Sequence, residues 1–312
     1  MKIAVIGAGG VGGYFGGRLA AAGNDVTFVA RGEHLRAIRE RGLAVKSALG
    51  DFRISPARAT DEIARLERPE LVVLGVKAWQ VKGVAEELRG VIDERTTVLP
   101  LQNGLTAAAE VGEALGKGRA VGGLCRILSR IESPGVILHS GLEPFIAFGE
   151  LDGRRTDRCL AIQGVLAGAG VTVLLSDDIR AEIWKKFMAM CAAGLLALAR
   201  SPWGPVREGK ETRTMMAGLL SEIYGIASRR GILSDSRVVE ATMALIDSFP
   251  SNSMSSLARD VMEGRPSEIE ALNGTVVRLA AELGIDVPIN RFVYGCILPM
   301  ERAARVRAES RG

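Results

Sequence analysis

A short apolar strand that runs straight into a glycine-rich turn constrains this chain more than any other feature. The sequence opens Met1-Lys-Ile-Ala-Val-Ile-Gly-Ala-Gly-Gly-Val-Gly12, which sets Gly7, Gly9 and Gly12 in the spacing Gly-x-Gly-x-x-Gly. In that arrangement Gly7 permits the tight turn, Gly9 lets the backbone approach a diphosphate, and Gly12 lets the following helix pack closely on the strand. A diphosphate is then expected against free N–H groups and the positive end of a helix dipole, with Gly7-Ala8-Gly9-Gly10-Val11-Gly12 as the cofactor-binding stretch. The context agrees with the motif. A helical pattern follows over residues 14–22, Gly23 stands as its C-cap, and a second strand runs from Asp25 to Val29.

The end of that second strand separates two classes of dinucleotide. An Asp or Glu there would bond a ribose 2′-hydroxyl. The chain instead reads Phe28-Val29-Ala30-Arg31-Gly32. The planar guanidinium of Arg31 suits a 2′-phosphate, with which it can form paired, charge-assisted bonds. NADP(H) is therefore expected rather than NAD(H).

Composition narrows the remaining choices. At 312 residues the chain exceeds one average domain. A net charge of +4 suits an anionic small molecule, and the scattered arginines form no basic, aromatic-studded face for nucleic acid. The cysteines (Cys125, Cys159, Cys191 and Cys296) are far apart, as expected of reduced thiols in the cytoplasm, and with only His34 and His139 no metal site is expected. The opening reads as a strand rather than a signal peptide. The longest apolar run, residues 187–199, is too short to cross a bilayer and reads as a buried helix.

Along the chain, short apolar runs at 3–6, 26–29, 71–76, 97–101 and 171–175 are expected to be parallel strands covered on both faces. Helical stretches at 81–88 and 160–166 separate some of them. Runs at 120–127, 135–139 and 145–148 lie close together and read as an antiparallel extension of the same sheet. After Ser176 long helical periods take over, at 179–199, 215–230, 236–247, 267–283 and 291–305, with Gly231 and Gly284 as caps. The expected fold is thus α/β: a Rossmann-type doubly wound sheet over 1–176, then an all-helical domain over 177–312. The helical part could offer an apolar dimer face, although its stripes are equally explained by its own core.

Several residues could carry chemistry. Ligands of doubly wound sheets bind beyond the carboxyl ends of the strands. Lys77 follows one strand, in Val-Lys-Ala-Trp-Gln80, and Asn103 follows the next, in Leu-Gln-Asn-Gly104. Lys185 and Lys186 are adjacent on a helix and point about 100° apart, so one can face a cleft while the other faces water. A partly desolvated lysine can donate a proton. Ser267 with Glu270 reads as a capping box, which puts Glu268 in the first turn of a helix.

Together these phrases resemble the ketopantoate reductase (2-dehydropantoate 2-reductase) family over nearly the whole chain. The similarity takes in GAGGVGGYFGGRLA, the Arg31 turn, VKAWQ, QNG, PGVILH, IRAEIWKK, the Ser255–Ser256 pair and SEIEALNG. The resemblance implies a cytoplasmic NADPH-dependent reductase that turns a 2-oxo acid, ketopantoate in the family, into a 2-hydroxy acid on the way to pantothenate. By position, Lys186 resembles the proton-donating lysine and Glu268 the active-site glutamate, which also contacts cofactor. Ser256 resembles a substrate-holding serine, and Asn103 an asparagine near both cofactor and substrate. Arg31 and Lys77 resemble cofactor contacts.

The chain also departs from the family pattern. Asparagines usually stand four and eight residues after the lysine, and another three residues before the serine. Here those substrate-facing positions are Met190, Gly194 and Ser253. Four and eight residues keep Met190 and Gly194 on the Lys186 face of the helix. A more apolar and roomier wall is expected there, which opens the alternative of a relative that reduces a less polar 2-oxo acid. A protein that binds NADPH without turnover is a further alternative, against which Lys186, Ser256 and Glu268 argue.

Overall fold

The computed structural model describes residues 1–141 and 143–310, which form two compact units. The first comprises residues 1–102 and 106–182, and the second residues 103–105 with 183 onward.

In the first unit, β1 (Lys2–Ile6) leads into α1 (Gly10–Ala21), then β2 (Asp25–Val29), α2 (Gly32–Arg41), β3 (Leu43–Ser47), β4 (Phe52–Ile54) and β5 (Arg58–Thr60). β6 (Leu71–Leu74), α3 (Val81–Leu88), β7 (Thr97–Pro100) and α4 (Ala107–Leu115) follow. The unit continues through β8 (Gly122–Arg126), β9 (Ser129–Ser133), β10 (Val136–His139), β11 (Phe145–Gly149), α5 (Asp157–Gly168) and β12 (Thr172–Leu175). Five strands make a parallel sheet in the order β5-β2-β1-β6-β7. Alternation explains why its strands β1, β6 and β7 are mostly apolar, whereas the edge strand β5, Arg58–Thr60, is not. Ile3, Val5, Leu71, Val73 and Leu99 enter one core with Phe15, Leu19 and Phe28. Ala4, Ile6, Val72, Leu74 and Val98 enter a second core with Val81, Val84, Leu88 and Val111. A strand buried on both faces cannot alternate polar with apolar.

The second half of this unit differs from expectation. The runs at 120–127, 135–139 and 145–148 do not extend the main sheet as antiparallel strands. They contribute to two further sheets, β4-β3-β10-β9 and β12-β11-β8. β10 lies parallel to β3 and antiparallel to β9, so it closes a sheet begun ninety residues earlier. The run at 171–175 is parallel, but to β11, and Thr172 and Leu174 are exposed, so it is not covered on both faces. Local pattern could not reveal either pairing, because both partners are remote in sequence. The glycines expected as caps sit past their helices at positive φ: Gly23 at +84°, Gly231 at +66° and Gly284 at +65°.

The second unit is helical: α6 (Ile179–Ala199, from residue 183 onward), α7 (Trp203–Glu208), α8 (Lys210–Arg229), α9 (Arg237–Asp247), α10 (Ser256–Met262), α11 (Asn273–Leu283) and α12 (Pro288–Glu309). α6 is buried almost all round, from Phe187 and Met188 to Leu196 and Ala197, as its apolar run requires. A buried polar chain ties it to its neighbours. Asn273 donates through Nδ2 to the Cys191 carbonyl at 3.2 Å and to Asn290 Oδ1 at 3.0 Å. Asn290 in turn donates to the Leu219 carbonyl and to Glu222, whose carboxylate also takes the N–H groups of Ile289 and Asn290 at the start of α12. No helix of the described residues is long and apolar enough to cross a membrane.

The helix expected over 267–283 begins only at Asn273. Ser267 does not cap it, because its hydroxyl is taken by the buried carboxylate of Glu301, and Glu270 is taken by Tyr294 and Arg278. Glu268 therefore lies in a run of turns, not in a first helical turn.

One ion pair closes the first unit. Glu150, at the end of β11, is buried and binds Arg158 through both carboxylate oxygens and Thr156 at 2.6 Å. The Arg158 hydrogen bonds, followed by that of Thr156, hold its carboxyl below the ordinary glutamate value of 4.5 against desolvation. Removing one partner of a buried pair strands the other charge. Arg158→Ala is expected to cost about 3 kcal/mol in urea unfolding at pH 7, the low end of the usual range because the arginine is part-exposed. With the folded pKa depressed, this stabilisation is present above the unfolded value and is lost as pH falls through the folded one. The gap between wild type and variant should therefore narrow below about pH 4.5.

Candidate functional site

The parallel register aligns the carboxyl ends of the central strands. Ile6 pairs with Val29 and Leu74, and Leu74 with Pro100. The chain leaves all of them at one edge. Gly7 and Ala8 donate to the Val29 carbonyl, Gly75 to Ile6, and Leu101 to Leu74. This edge gathers the glycine turn, Arg31 and Lys77 from three separate stretches of sequence.

The glycines of the turn serve different needs. Gly7 has φ +93°, and a Cβ there would lie 2.8 Å from the backbone of Gly75 and Val76. A Cβ on Gly12 would strike the Gly7 carbonyl, and one on Gly10 would lie 2.5 Å from the Ser129 carbonyl. At Gly9 a Cβ would meet nothing within 4 Å. The side of Gly9 is thus the open one, and it is where a diphosphate can reach the turn. α1 begins at Gly10, earlier than its apolar pattern indicated, and no side chain caps it. The N–H groups of Gly10, Val11 and Gly12, in its first turn, have no intrahelical partner. The residues present therefore fit a bound dinucleotide.

Arg31 stands between β2 and α2 as the N-cap residue, exposed, and among the described residues it forms no ion pair. Lys77 is half-buried, its Nζ 5.8 Å from the centre of the exposed Trp79 ring. Two residues not singled out from the sequence support this edge. Gln102 donates through Nε2 to the carbonyls of Leu74 at 2.9 Å and Val76 at 3.1 Å, which fixes the backbone just before Lys77. His34 bonds the Ala8 carbonyl through Nε2 at 2.8 Å and accepts the Gly135 N–H on Nδ1 at 3.0 Å. Only the neutral tautomer with its proton on Nε2 satisfies both. His34 stands three residues after Arg31, but its partners are 26 and 101 residues away, so no local pattern announces it.

In the helical unit, α6 exposes Lys185 and half-buries Lys186. Met190, one turn on, is half-buried too. Gly194 is not. It is buried, and a side chain there would meet Val293 and lie 3.1 Å from Asn273 Oδ1. The roomier wall expected at Gly194 is therefore absent, because α11 and α12 fill that space. Asn103, grouped with this unit, donates through Nδ2 to Glu268 Oε2 at 2.9 Å, and Glu268 is only 6% exposed. Next to Asn103, Gly104 at φ +104° brings the loop against the Ala271 carbonyl. Of the Ser255–Ser256 pair, Ser255 caps α10 by accepting the Ala258 N–H, while Ser256 is exposed at its first position. The Ser253 hydroxyl is engaged by the Pro250 carbonyl at 2.6 Å.

Comparison with known proteins shows the family. The model of the ketopantoate reductase PanE/ApbA family matches residues 3–153, and that of its C-terminal part matches residues 178–301. The chain is 31% identical over 295 residues to the uncharacterized oxidoreductase YkpB of Bacillus subtilis, covering 94% of this chain and 97% of that one. It is 29% identical over 299 residues to 2-dehydropantoate 2-reductase of Nostoc sp., covering 94% and 93%. Among solved structures, a PanE/ApbA family ketopantoate reductase from Ralstonia eutropha superposes with a TM-score of 0.90 at 29% identity, over 98% of this chain and 100% of that one.

Burial, only partly offset by the Ala8 bond, pushes the His34 pKa below 6.5, so the folded state holds the imidazole neutral. A depressed pKa contributes stability that is present above the unfolded value and lost as pH falls through the folded one. Wild-type stability should therefore show a decline below about pH 6.5 that His34→Leu lacks. At pH 7.5 the variant should be less stable by about 1–3 kcal/mol, for two lost hydrogen bonds. Urea titrations at several pH values would show both effects, and parallel wild-type and variant profiles would refute the assignment.

Proposed function

The chain belongs to the ketopantoate reductase family, and on that footing we propose that it is an NADPH-dependent oxidoreductase reducing a 2-oxo acid to the 2-hydroxy acid, with ketopantoate to pantoate as the leading reaction. The observation that carries the proposal is the pairing of Asn103 with the buried Glu268 in a chain whose first unit has an open glycine turn. A carboxylate carries acceptor sites for several donors, and in the proposed reaction an ammonium or a newly formed hydroxyl would be among those Glu268 serves beside Asn103.

The residues divide the work. The first-turn N–H groups of α1 receive the diphosphate, Arg31 the 2′-phosphate, and Lys77 adds positive charge at the same edge. Bound NADPH supplies the hydride for the C2 carbonyl. Lys186 stabilises the developing alkoxide and returns a proton to it. Glu268 orients Lys186 or the new hydroxyl, and Asn103 keeps Glu268 in place. Ser256, exposed at the start of α10, is free to bind the acid's polar groups.

A second reading has its own support. Met190 presents a thioether where the family pattern has an amide, Gly194 is closed off, and the Ser253 hydroxyl is already engaged. With those three donors gone, an apolar wall discriminates by only about 1–3 kcal/mol per methylene. The alternative substrate is thus a 2-oxo acid with a less hydroxylated side chain.

A panel of 2-oxo acids followed by NADPH absorbance tests both readings. Clear preference for ketopantoate over unhydroxylated analogues supports the first, and the reverse order supports the second. In either case Lys186→Ala should lower turnover by about 10²–10⁴ with cofactor binding retained, while Lys185→Ala stays mild. A damaging Lys185→Ala beside a mild Lys186→Ala would reassign the proton donor.

Cofactor choice gives a separate check. Arg31→Ala should weaken NADPH binding by roughly 1.5–3 kcal/mol, the range for a hydrogen bond to a charged group, and leave NADH binding nearly unchanged. Equal losses for both cofactors would show that Arg31 does not read the 2′-phosphate.

A further inference from the structure

The residue before Glu268 is clamped on every polar group it has. Ser267 is fully buried. Its N–H and its hydroxyl both donate to Oε2 of Glu301, at 2.7 and 2.6 Å. Glu301 lies on α12 and is 2% exposed. Its Oε1 is 2.7 Å from Nε of Arg305, one helical turn on, and Arg305 donates through Nη2 to the Ser267 carbonyl at 3.4 Å.

An ionised carboxylate so deeply buried is costly unless paired and hydrogen-bonded. A bend in the chain does not need one, since a neutral acceptor or a water would satisfy the same N–H. What the charge adds is short, charge-assisted bonds that hold one peptide from two directions. The far side of Glu268 is held as well. Leu272 N–H donates to the Glu268 carbonyl at 3.0 Å, and Gly274 N–H to the Ile269 carbonyl at 2.9 Å. Between these anchors the Glu268 side chain has one backbone origin from which to meet Asn103.

We infer that Glu301 is a positioning residue: through Ser267 it sets the main chain that presents the Glu268 carboxylate. This rests on the reading of Glu268 as the active-site carboxylate. The arrangement makes α12 part of the apparatus that presents Glu268, with Glu301 acting from a position only 2% exposed.

A double-mutant cycle on the full-length protein tests it, with Ser267→Ala, Glu268→Gln and the pair, beside Glu301→Gln. The measurements are kcat, NADPH affinity by fluorescence and the urea midpoint. Ser267→Ala removes one hydroxyl and keeps the main-chain bond. It should lower kcat by about three- to tenfold, the kinetic equivalent of one hydrogen bond, with NADPH affinity unchanged. In the Glu268→Gln background the same change should have no further effect on kcat, because the group it places is gone. Glu301→Gln should lower kcat at least as much. Should it fail to fold, Ser267→Ala decides alone. An equal kcat loss from Ser267→Ala in both backgrounds would reduce the clamp to general stability and overturn the inference. So would wild-type kcat in folded Ser267→Ala. A Glu268→Gln variant with undiminished kcat would overturn the reading of Glu268 and this inference with it, whereas damage there and none in Ser267→Ala overturns the inference only.

Discussion

The parallel registration of β1 between β2 and β6 is the constraint on which the first unit depends. Ile6, Val29 and Leu74 sit side by side, so the backbone turns that follow them are forced into one neighbourhood. The hydrogen bonds from Gly7 and Ala8 to Val29, and from Gly75 to Ile6, are consequences of that register. A slip of one residue would turn Ile3 and Val5 into the wrong core and carry Arg31 and Lys77 away from the glycine turn. The apolar strand and the polar site are therefore one specification: the burial of both faces fixes the register, and the register assembles the edge.

The glycine turn shows how little freedom is left once that register is set. The chain passes within contact distance of itself at Gly7, Gly10 and Gly12, and stays open only at Gly9. The same logic extends to His34 and Gln102, each of which uses two hydrogen bonds to hold a backbone segment that flanks the edge. They stiffen the apparatus without contributing charge to it, which lets Arg31 and Lys77 set the local potential.

How much of this was legible in the sequence follows from the range of each interaction. β1, β2, α3 and α6 were readable because their burial is written in adjacent residues, as period 3.6 or as an apolar run. The Gly-x-Gly-x-x-Gly turn was readable because its backbone demands depend on short spacing. The pairing of β10 with β3 was not, nor the bond from Asn103 to Glu268, whose partners lie 165 residues apart. The capping box at Ser267 is the instructive failure. Its local signature is sound, but a buried carboxylate 34 residues on outcompetes a helix N-terminus for the same hydroxyl, since the charged acceptor forms the stronger bond.

The helical unit carries that competition into specificity. An asparagine at position 194 would have to displace Val293 and intrude on Asn273, whose own amide is held by Cys191 and Asn290. Glycine there is not simply a missing amide on a substrate wall. It is the residue that lets α11 approach α6 closely enough for Asn273 to reach the Cys191 carbonyl. At this position the chain favours packing over an added side chain. Met190, half-buried one turn from Lys186, is left on this helix face with a thioether that accepts a hydrogen bond only weakly and adapts readily to differently shaped apolar groups. On the proposed reading, a flexible apolar residue one turn from Lys186 would bear on which side chain the oxo acid carries, while proton transfer would stay with the lysine.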